Sequence, residues 1–211
     1  MEMGRKIMKR IVRIMAAAMS AVLMLSVCSC NKADLKKAVD PVIGLMEDSI
    51  GKSRADAEKM FEDYFGVELE GVEALKSGSD QRPIQSYYYD TDLTKDGVTF
   101  TSLVIMEDVF AETVYSVEMN SNNLDTAKKE YDTSSGKKSE IKDLGKAMNK
   151  AVQAKVGKPD YTEPLFEGSK ESYSNRYKTD KIVYIVSVRD LTEAPDKGSD
   201  LVDTSITVFQ T

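Results

Sequence analysis

The chain contains no histidine, and this absence narrows the chemistry open to it. A Ser-His-Asp triad, a Cys-His dyad, an imidazole metal site and a histidine proton shuttle near neutral pH all need the imidazole ring. Carboxylates, lysines, tyrosines and hydroxyls remain for catalysis, and these are also ordinary surface groups. The composition therefore favours a binding protein over an enzyme, and we expect no cofactor and no metal.

Cysteine is nearly as scarce, since Cys28 and Cys30 in the stretch "LMLSVCSCNK" are the only two in the sequence. A disulfide between them would close a tiny strained loop and would stabilise little, because long loops gain most from a crosslink. A zinc site needs about four ligands, and two of them would have to come from carboxylates. The pair therefore favours neither a disulfide nor a metal site.

The residues before the two cysteines have the composition of an export signal. The segment begins with five basic residues and one acid, Glu2. A run of apolar and small residues without charge follows, "IMAAAMSAVLMLSV". A helix that spans a membrane needs about 20 apolar residues, so the run is too short for one. The segment is predicted to be a secretory signal peptide over residues 1–29.

The cysteine region resembles the lipobox of bacterial lipoprotein signals. That pattern has an aliphatic residue three positions before the modified cysteine and a small residue directly before it. Cys30 places Val27 and Ser29 at these positions, whereas Cys28 would place bulky Val27 at the cleavage point. The resemblance implies that Cys30 carries the lipid and holds the protein at the cell membrane, on its extracytoplasmic side.

The predicted mature part is strongly acidic. The signal holds five of the 29 basic residues and one of the 35 acidic ones, so its removal takes the net charge from −6 to −10. An acidic body repels phosphates and anionic headgroups, which argues against nucleic acid as a partner and against electrostatic adhesion to the membrane. Each acyl methylene buried in the bilayer would contribute about 0.8 kcal/mol to attachment instead.

Residues 30–40 are predicted to be a lipidated cysteine with a polar tether that frays or begins a helix. The next stretch predicts a helix with Asp40 as N-cap, Pro41 at its first position and Gly51 after its end. A second helix is expected from Ser53, with Asp56 three residues later, to Gly66.

Residues rich in β-branched and aromatic side chains then predict three strands, and the order of elements recurs. The second half is expected to have a short helix within 123–132, a longer one within 139–157, and three more strands. We predict an α+β fold with an antiparallel sheet and helices on one face, built from two tandem ααβββ repeats over 41–121 and 122–211.

This order of elements resembles the helix-pair-plus-sheet units of secreted β-lactamase-inhibitor proteins and of small lipoproteins of outer-membrane assembly. The inhibitors repeat the unit in tandem and grip a partner protein with the open face of the sheet. The resemblance implies a binding face but assigns no residue, and fold analogy alone is a weak guide to function.

Three consecutive tyrosines, Tyr87, Tyr88 and Tyr89, provide the strongest candidate for a binding face. Side chains alternate between the two faces of a strand, so Tyr88 must point opposite to its neighbours. With helices on one face, at least one tyrosine should stand on the other, where aromatic residues favour binding. We include Tyr177 as a candidate for the same face, although rings that only cover a β-surface are the more common case.

Other motifs have simpler explanations. "GKS" at residues 51–53 lacks the preceding strand and the first glycine of a phosphate loop, so a helix stop and N-cap account for it. "DTDLTKDG" at 90–97 matches no EF-hand register, which leaves a turn or a weak cation site. Glu107, Asp108 and Asp190 are conceivable catalytic carboxylates, but their adjacency does not place two of them across a cleft.

Taken together, these features predict a non-catalytic, lipid-anchored binding protein of the cell envelope. Its partner would be a protein or a small extracellular ligand. Two alternatives remain open: a carboxylate-dependent hydrolase of envelope or imported polysaccharide, and an inhibitor or immunity-type lipoprotein.

Overall fold

A computed structural model describes residues 32–73, 76–79, 82–125, 128–166, 169, 171–194 and 199–211. The predicted signal peptide and both cysteines lie outside these residues. By its contacts the chain divides into residues 1–34 and a second unit, Leu35–Thr211, to which the following description refers. Among the described residues, no helix is both long enough and apolar enough to cross a membrane.

Three α-helices are described, and their bounds correct part of the helix prediction. They are α1 (Lys32–Ser49), α2 (Arg54–Phe65) and α3 (Ser135–Val156), with a short 3₁₀ turn at Leu191–Glu193. The N-cap predicted at Ser53 is confirmed, since its hydroxyl accepts a hydrogen bond from the Asp56 amide, and α2 ends at Gly66 with φ of 72°.

The predicted start of the first helix at Asp40 and Pro41 is wrong, because Pro41 lies inside α1. A proline removes the hydrogen bond to the carbonyl four residues earlier, here that of Lys37. Lys37, Asp40 and Pro41 are all exposed, so the freed carbonyl lies on the side that water reaches. The helix therefore continues through the proline and begins within the stretch predicted as a tether.

Thirteen strands are described. In chain order they are β1 (Val72–Glu73), β2 (Ser77–Ser79), β3 (Arg82–Tyr89), β4 (Leu93–Lys95), β5 (Val98–Phe100), β6 (Ser102–Asp108), β7 (Thr113–Asn122), β8 (Leu124–Asp125), β9 (Glu130–Tyr131), β10 (Tyr161–Pro164), β11 (Tyr173–Lys178), β12 (Ile182–Asp190) and β13 (Val202–Gln210). The short helix predicted within 123–132 is wrong, since β8 and β9 pair there as a small hairpin.

One antiparallel sheet joins both halves of the chain. Its order is β1-β3-β6-β7-β13-β12-β11-β10, and β2 also pairs with β3. At its centre β7 and β13 pair over seven residues, Ser116 to Asn122. The predicted α+β fold with an antiparallel sheet is confirmed, but the second half holds one described α-helix instead of two, and the tandem repeat stays a prediction.

The helices lie on one face of this sheet, as predicted. Three buried tyrosines of the sheet donate hydrogen bonds to them: Tyr184 to Glu47 in α1 at 2.7 Å, Tyr89 to Glu58 in α2, and Tyr177 to Asn149 in α3. The core lies between this covered face and the helices, and it includes side chains from both halves of the chain.

Candidate binding face

The opposite side of the sheet, which carries Tyr88, Glu118 and Arg176, is called the open face below. Direct cross-strand partners lie on the same face of a sheet, so the register identifies its members. One row of partners crosses seven strands in the order Tyr88, Val104, Glu118, Thr207, Ile185, Arg176 and Tyr161. No described helix packs on this row.

The four candidate tyrosines separate between the two faces. Tyr88 is 47% exposed and lies on the open face, as the alternation along β3 requires. Tyr87 faces α2, where the Arg54 guanidinium lies 4.3 Å from its ring centre, and its hydroxyl donates to Glu107 at 3.3 Å.

Tyr89 and Tyr177 do not belong to the open face. Each is 1% exposed and lies beneath a helix. Burial raises the pKa of Tyr177 to about 12, and burial also raises the pKa of Tyr89. Both rings are parts of the core, and among the four candidates only Tyr88 is placed where a partner could reach it on the open face.

Two exposed tyrosines mark the margins of the open face. Tyr88 lies at one end of the seven-residue row, and Tyr161, 57% exposed, lies at the other end, on the edge strand β10. Between them, Tyr115 occupies a bulge in β7, where the register with β6 shifts, and its ring is 6.2 Å from that of Phe209. Aromatic rings of this kind are enriched at protein interfaces.

Glu118 places a carboxylate near the middle of the open face. It is half-buried, and it accepts a hydrogen bond from the Thr207 hydroxyl at 3.3 Å. Burial raises the pKa of Glu118, as does nearby Asp203, while the Thr207 hydrogen bond and the charge of Arg189 lower it. No lysine or arginine of the described residues forms an ion pair with it.

A satisfied ion pair lies beside it. Arg189 Nε donates to Asp203 Oδ2 at 2.9 Å, and a second guanidinium nitrogen contacts the same oxygen. This contact and the neighbouring Asp203 charge raise the pKa of Arg189. Beside this internal ion pair, Glu118 feels the charge of Arg189 but forms no ion pair with any described residue.

Two clefts lie at opposite ends of β3. One, of about 610 Å³, has four aspartates in its walls, among them Asp90 and Asp92 of the predicted turn. Among the described residues no group of three or more potential ligands is arranged to hold a metal ion. The stretch 92–100 forms the hairpin β4–β5, with Asp96 and Gly97 at its tip in the left-handed region. A turn accounts for these residues.

The other cleft, of about 540 Å³, lies beside the start of α2 and is lined by Arg54, Lys76, Glu107 and Glu112 among others. Its charges are of both signs, and Glu107 already accepts the Tyr87 hydroxyl. This mixture does not single out one ligand class.

The carboxylates considered for hydrolysis have structural partners. Asp108 accepts the amides of Phe110 and Ala111 in the β6–β7 turn, at 3.0 and 3.1 Å. Asp190 is buried and lies 2.6 Å from the Lys142 ammonium. Burial works against ionisation of Asp190, but Lys142 and Thr192 hold its pKa below the usual range. Both acids therefore take part in contacts that hold the β6–β7 turn and the end of β12.

Comparison with known proteins adds no assignment. No protein family matches the sequence, and no curated protein or solved structure shows a significant similarity to it. The open face must therefore be interpreted from its own residues.

Sequence reasoning identified Tyr88 but missed Glu118, Arg176 and Tyr161. Alternation around buried Val117 and Met119 could have placed Glu118 opposite the core. Its neighbours in the row depend on the pairing of β7 with β13, two strands about ninety residues apart in the chain, and no local signal encodes that pairing.

Proposed function

We propose that the chain is an exported, lipid-anchored binding protein of the cell envelope, and that it engages its partner through the open face beside Tyr88. The observation that carries this proposal is the position of Tyr88, a large aromatic ring half-exposed on a sheet face that no described helix covers. Buried aromatic anchors supply much of the energy of protein interfaces.

The charge of the molecule limits the class of partner. An acidic body with an exposed aromatic ring and mixed polar neighbours is suited to a protein surface or a neutral ligand more than to a polyanion. The anchor at Cys30 would hold the open face at the envelope, so the partner is expected there too. An inhibitor or immunity lipoprotein is the form of this proposal in which the partner is an enzyme.

Photo-crosslinking in intact cells tests the proposal. A photoreactive phenylalanine analogue replaces Tyr88 in the full lipidated chain, and adducts are compared with those from the same analogue at Phe110. Phe110 is 69% exposed in the β6–β7 turn, so it controls for accessibility alone. We expect one reproducible adduct from position 88 that position 110 does not give.

A second pair of variants separates anchoring from recognition. Cys30→Ala should lose both membrane retention and the adduct. Tyr88→Ala should stay in the membrane, but the partner identified by crosslinking should no longer co-purify with it. Equal adducts from positions 88 and 110, or full retention of the partner by Tyr88→Ala, would contradict the proposed binding face.

A further inference from the structure

Two opposite charges on the open face have no ion-pair partner among the described residues. Within the part of the chain that the structure describes, Glu118 on β7 feels the charge of Arg189 but forms no ion pair, and Arg176 on β11 is exposed and forms none either. They belong to the same cross-strand row but are separated by three strand spacings, about 14 Å. This distance keeps them from pairing within one molecule.

A two-fold axis parallel to the strands and midway between β12 and β13 would bring these charges together between two copies. Such an axis places one open face against the other and reverses the order of the strands. Glu118 of each copy then faces Arg176 of the other copy. Each residue lies about 7 Å from the axis, and packed sheets are about 10 Å apart. A glutamate and an arginine side chain can together span that gap.

The neighbouring rows fit the same axis. Asp203 on β13 would face Arg189 on β12 of the second copy, so the existing ion pair would join its symmetry mate. Ser205 would face Ser187, and both are partly exposed. Charged and small polar residues therefore each meet a compatible partner, which is the self-complementarity that a two-fold interface requires.

The size of the face is sufficient for a stable dimer. The six strands from β6 to β10 in the order of the sheet span about 29 Å, and seven residues of β13 span about 24 Å, so each copy offers about 700 Å². Two copies would bury about 1,400 Å², within the range of about 1,200–2,000 Å² found for specific interfaces.

We propose that the open face binds the open face of a second copy of this chain in a two-fold sheet-on-sheet dimer, with Glu118 of each copy against Arg176 of the other. This inference rests on the proposed function, since it names one occupant of the same face. Tyr88, on β3, lies beyond the strands that the dimer covers and stays available to a further partner.

Charge reversal tests the arrangement in the full lipidated chain, with its mass measured by sedimentation equilibrium in density-matched detergent. The unchanged chain is expected to be a dimer at micromolar concentration. Glu118→Arg and Arg176→Glu should each weaken dimerisation by at least about tenfold, because each places like charges together at two symmetric points. The double variant, Glu118→Arg with Arg176→Glu, should restore the dimer.

Matched variants keep the outcome interpretable. Lys150→Glu makes the same charge change as Arg176→Glu at an exposed position of α3 and should leave the mass unchanged. The thermal midpoint of each variant is recorded, and a reversal that unfolds is replaced by Glu118→Gln or Arg176→Gln, which should also weaken the dimer.

A monomeric unchanged chain would overturn the proposal, as would a dimer indifferent to the single reversals or a double variant that fails to recover. These results would leave the binding role of Tyr88 standing, because Tyr88→Ala is expected to keep the dimer while losing the crosslinked partner. Conversely, if the photoreactive residue at position 88 gives no specific adduct while the dimer is intact, the result counts against the proposed function alone.

Discussion

Among single residues, Lys142 has the densest set of ionic contacts in the described chain. Its ammonium lies 2.6 Å from Glu171 and 2.6 Å from Asp190, and 4.0 Å from Glu193. These contacts join α3 to the residues before β11 and to the end of β12. Because Asp190 is buried, removing its cation would leave a carboxylate that neither water nor another charge stabilises.

We therefore expect Lys142→Met to lower the free energy of unfolding by about 2 kcal/mol. This loss is smaller than the loss for a fully buried ion pair because Lys142 and Glu171 retain contact with water. Urea denaturation measures the change. Lys150→Met, on an exposed part of the same helix, is the control and should change stability little. Equal stability of the two variants would show that the ion pairs contribute nothing.

The same contacts predict a pH dependence. The pKa of Asp190 is lowered by Lys142 and Thr192 against the effect of burial, and the pKa of Glu171 is lowered by its hydrogen bond to Lys142. A lowered pKa contributes stability above the pKa of the unfolded chain, and that stability is lost as the pH falls through the folded value. The difference between wild type and Lys142→Met should thus be largest near neutral pH and shrink below about pH 4, as urea titrations across this range would measure.

Among the elements, the contact of α3 with the sheet depends on one glycine. A Cβ on Gly145 would lie 2.4 Å from Thr204 Oγ1 and 2.4 Å from Val188 Cγ2. Both neighbours are branched and buried, and the Thr204 hydroxyl donates to the Ser187 carbonyl at 2.8 Å. The glycine therefore allows the helix to approach β12 and β13 closely.

Gly145→Ala should destabilise the protein by about 1–2 kcal/mol, because the overpacking cost of about 1–3 kcal/mol exceeds the gain in helix propensity of up to about 1 kcal/mol. Gly44→Ala in α1 is the matched control, since no atom lies within 4 Å of its added Cβ. That variant should gain about 0.5–1 kcal/mol. Thermal unfolding of both variants measures the difference, and a stabilised Gly145→Ala would contradict the close packing.

Local sequence signals predicted helix ends and strand faces well where the deciding contacts lie within a few residues. The Ser53 cap, the Gly66 stop and the alternation at Tyr88 all follow from contacts within a few residues. The errors arose where distant residues decide. Strands β8 and β9 pair because buried Asn123 donates to the carbonyls of Asp132 and Asp200 and accepts the Val202 amide. Helix α1 begins before Pro41 because its buried side packs against the core.

The candidate site divides in the same way. Tyr88 could be placed on a face from its own strand, but the row that joins it to Glu118 and Arg176 needs the order of strands. Tyr177 is a candidate for the same face on its sequence, but the structure places it with Tyr89 on the covered face, and each of these two tyrosines is hydrogen-bonded to a helix.

For the whole molecule, the central pairing of β7 with β13 argues that the two halves fold together. Val117 pairs with Val208 and Met119 with Ile206 at this seam, and all four side chains are fully buried. The core on the covered face also combines side chains from α1 and α3. Two separate lobes would not share their sheet and core in this way.

We expect one cooperative unfolding transition for both halves. Leu103→Ala in β6 and Met148→Ala in α3 should each lower the free energy of unfolding by about 2–5 kcal/mol, because both side chains are fully buried. Each should lower the protection of slowly exchanging amides in β6 and β12 equally, as measured by hydrogen exchange, since breaking either half of a shared core exposes the other. Phe110→Ala, at an exposed turn, should change neither strand, and loss of protection confined to the mutated half would mean that the halves unfold independently.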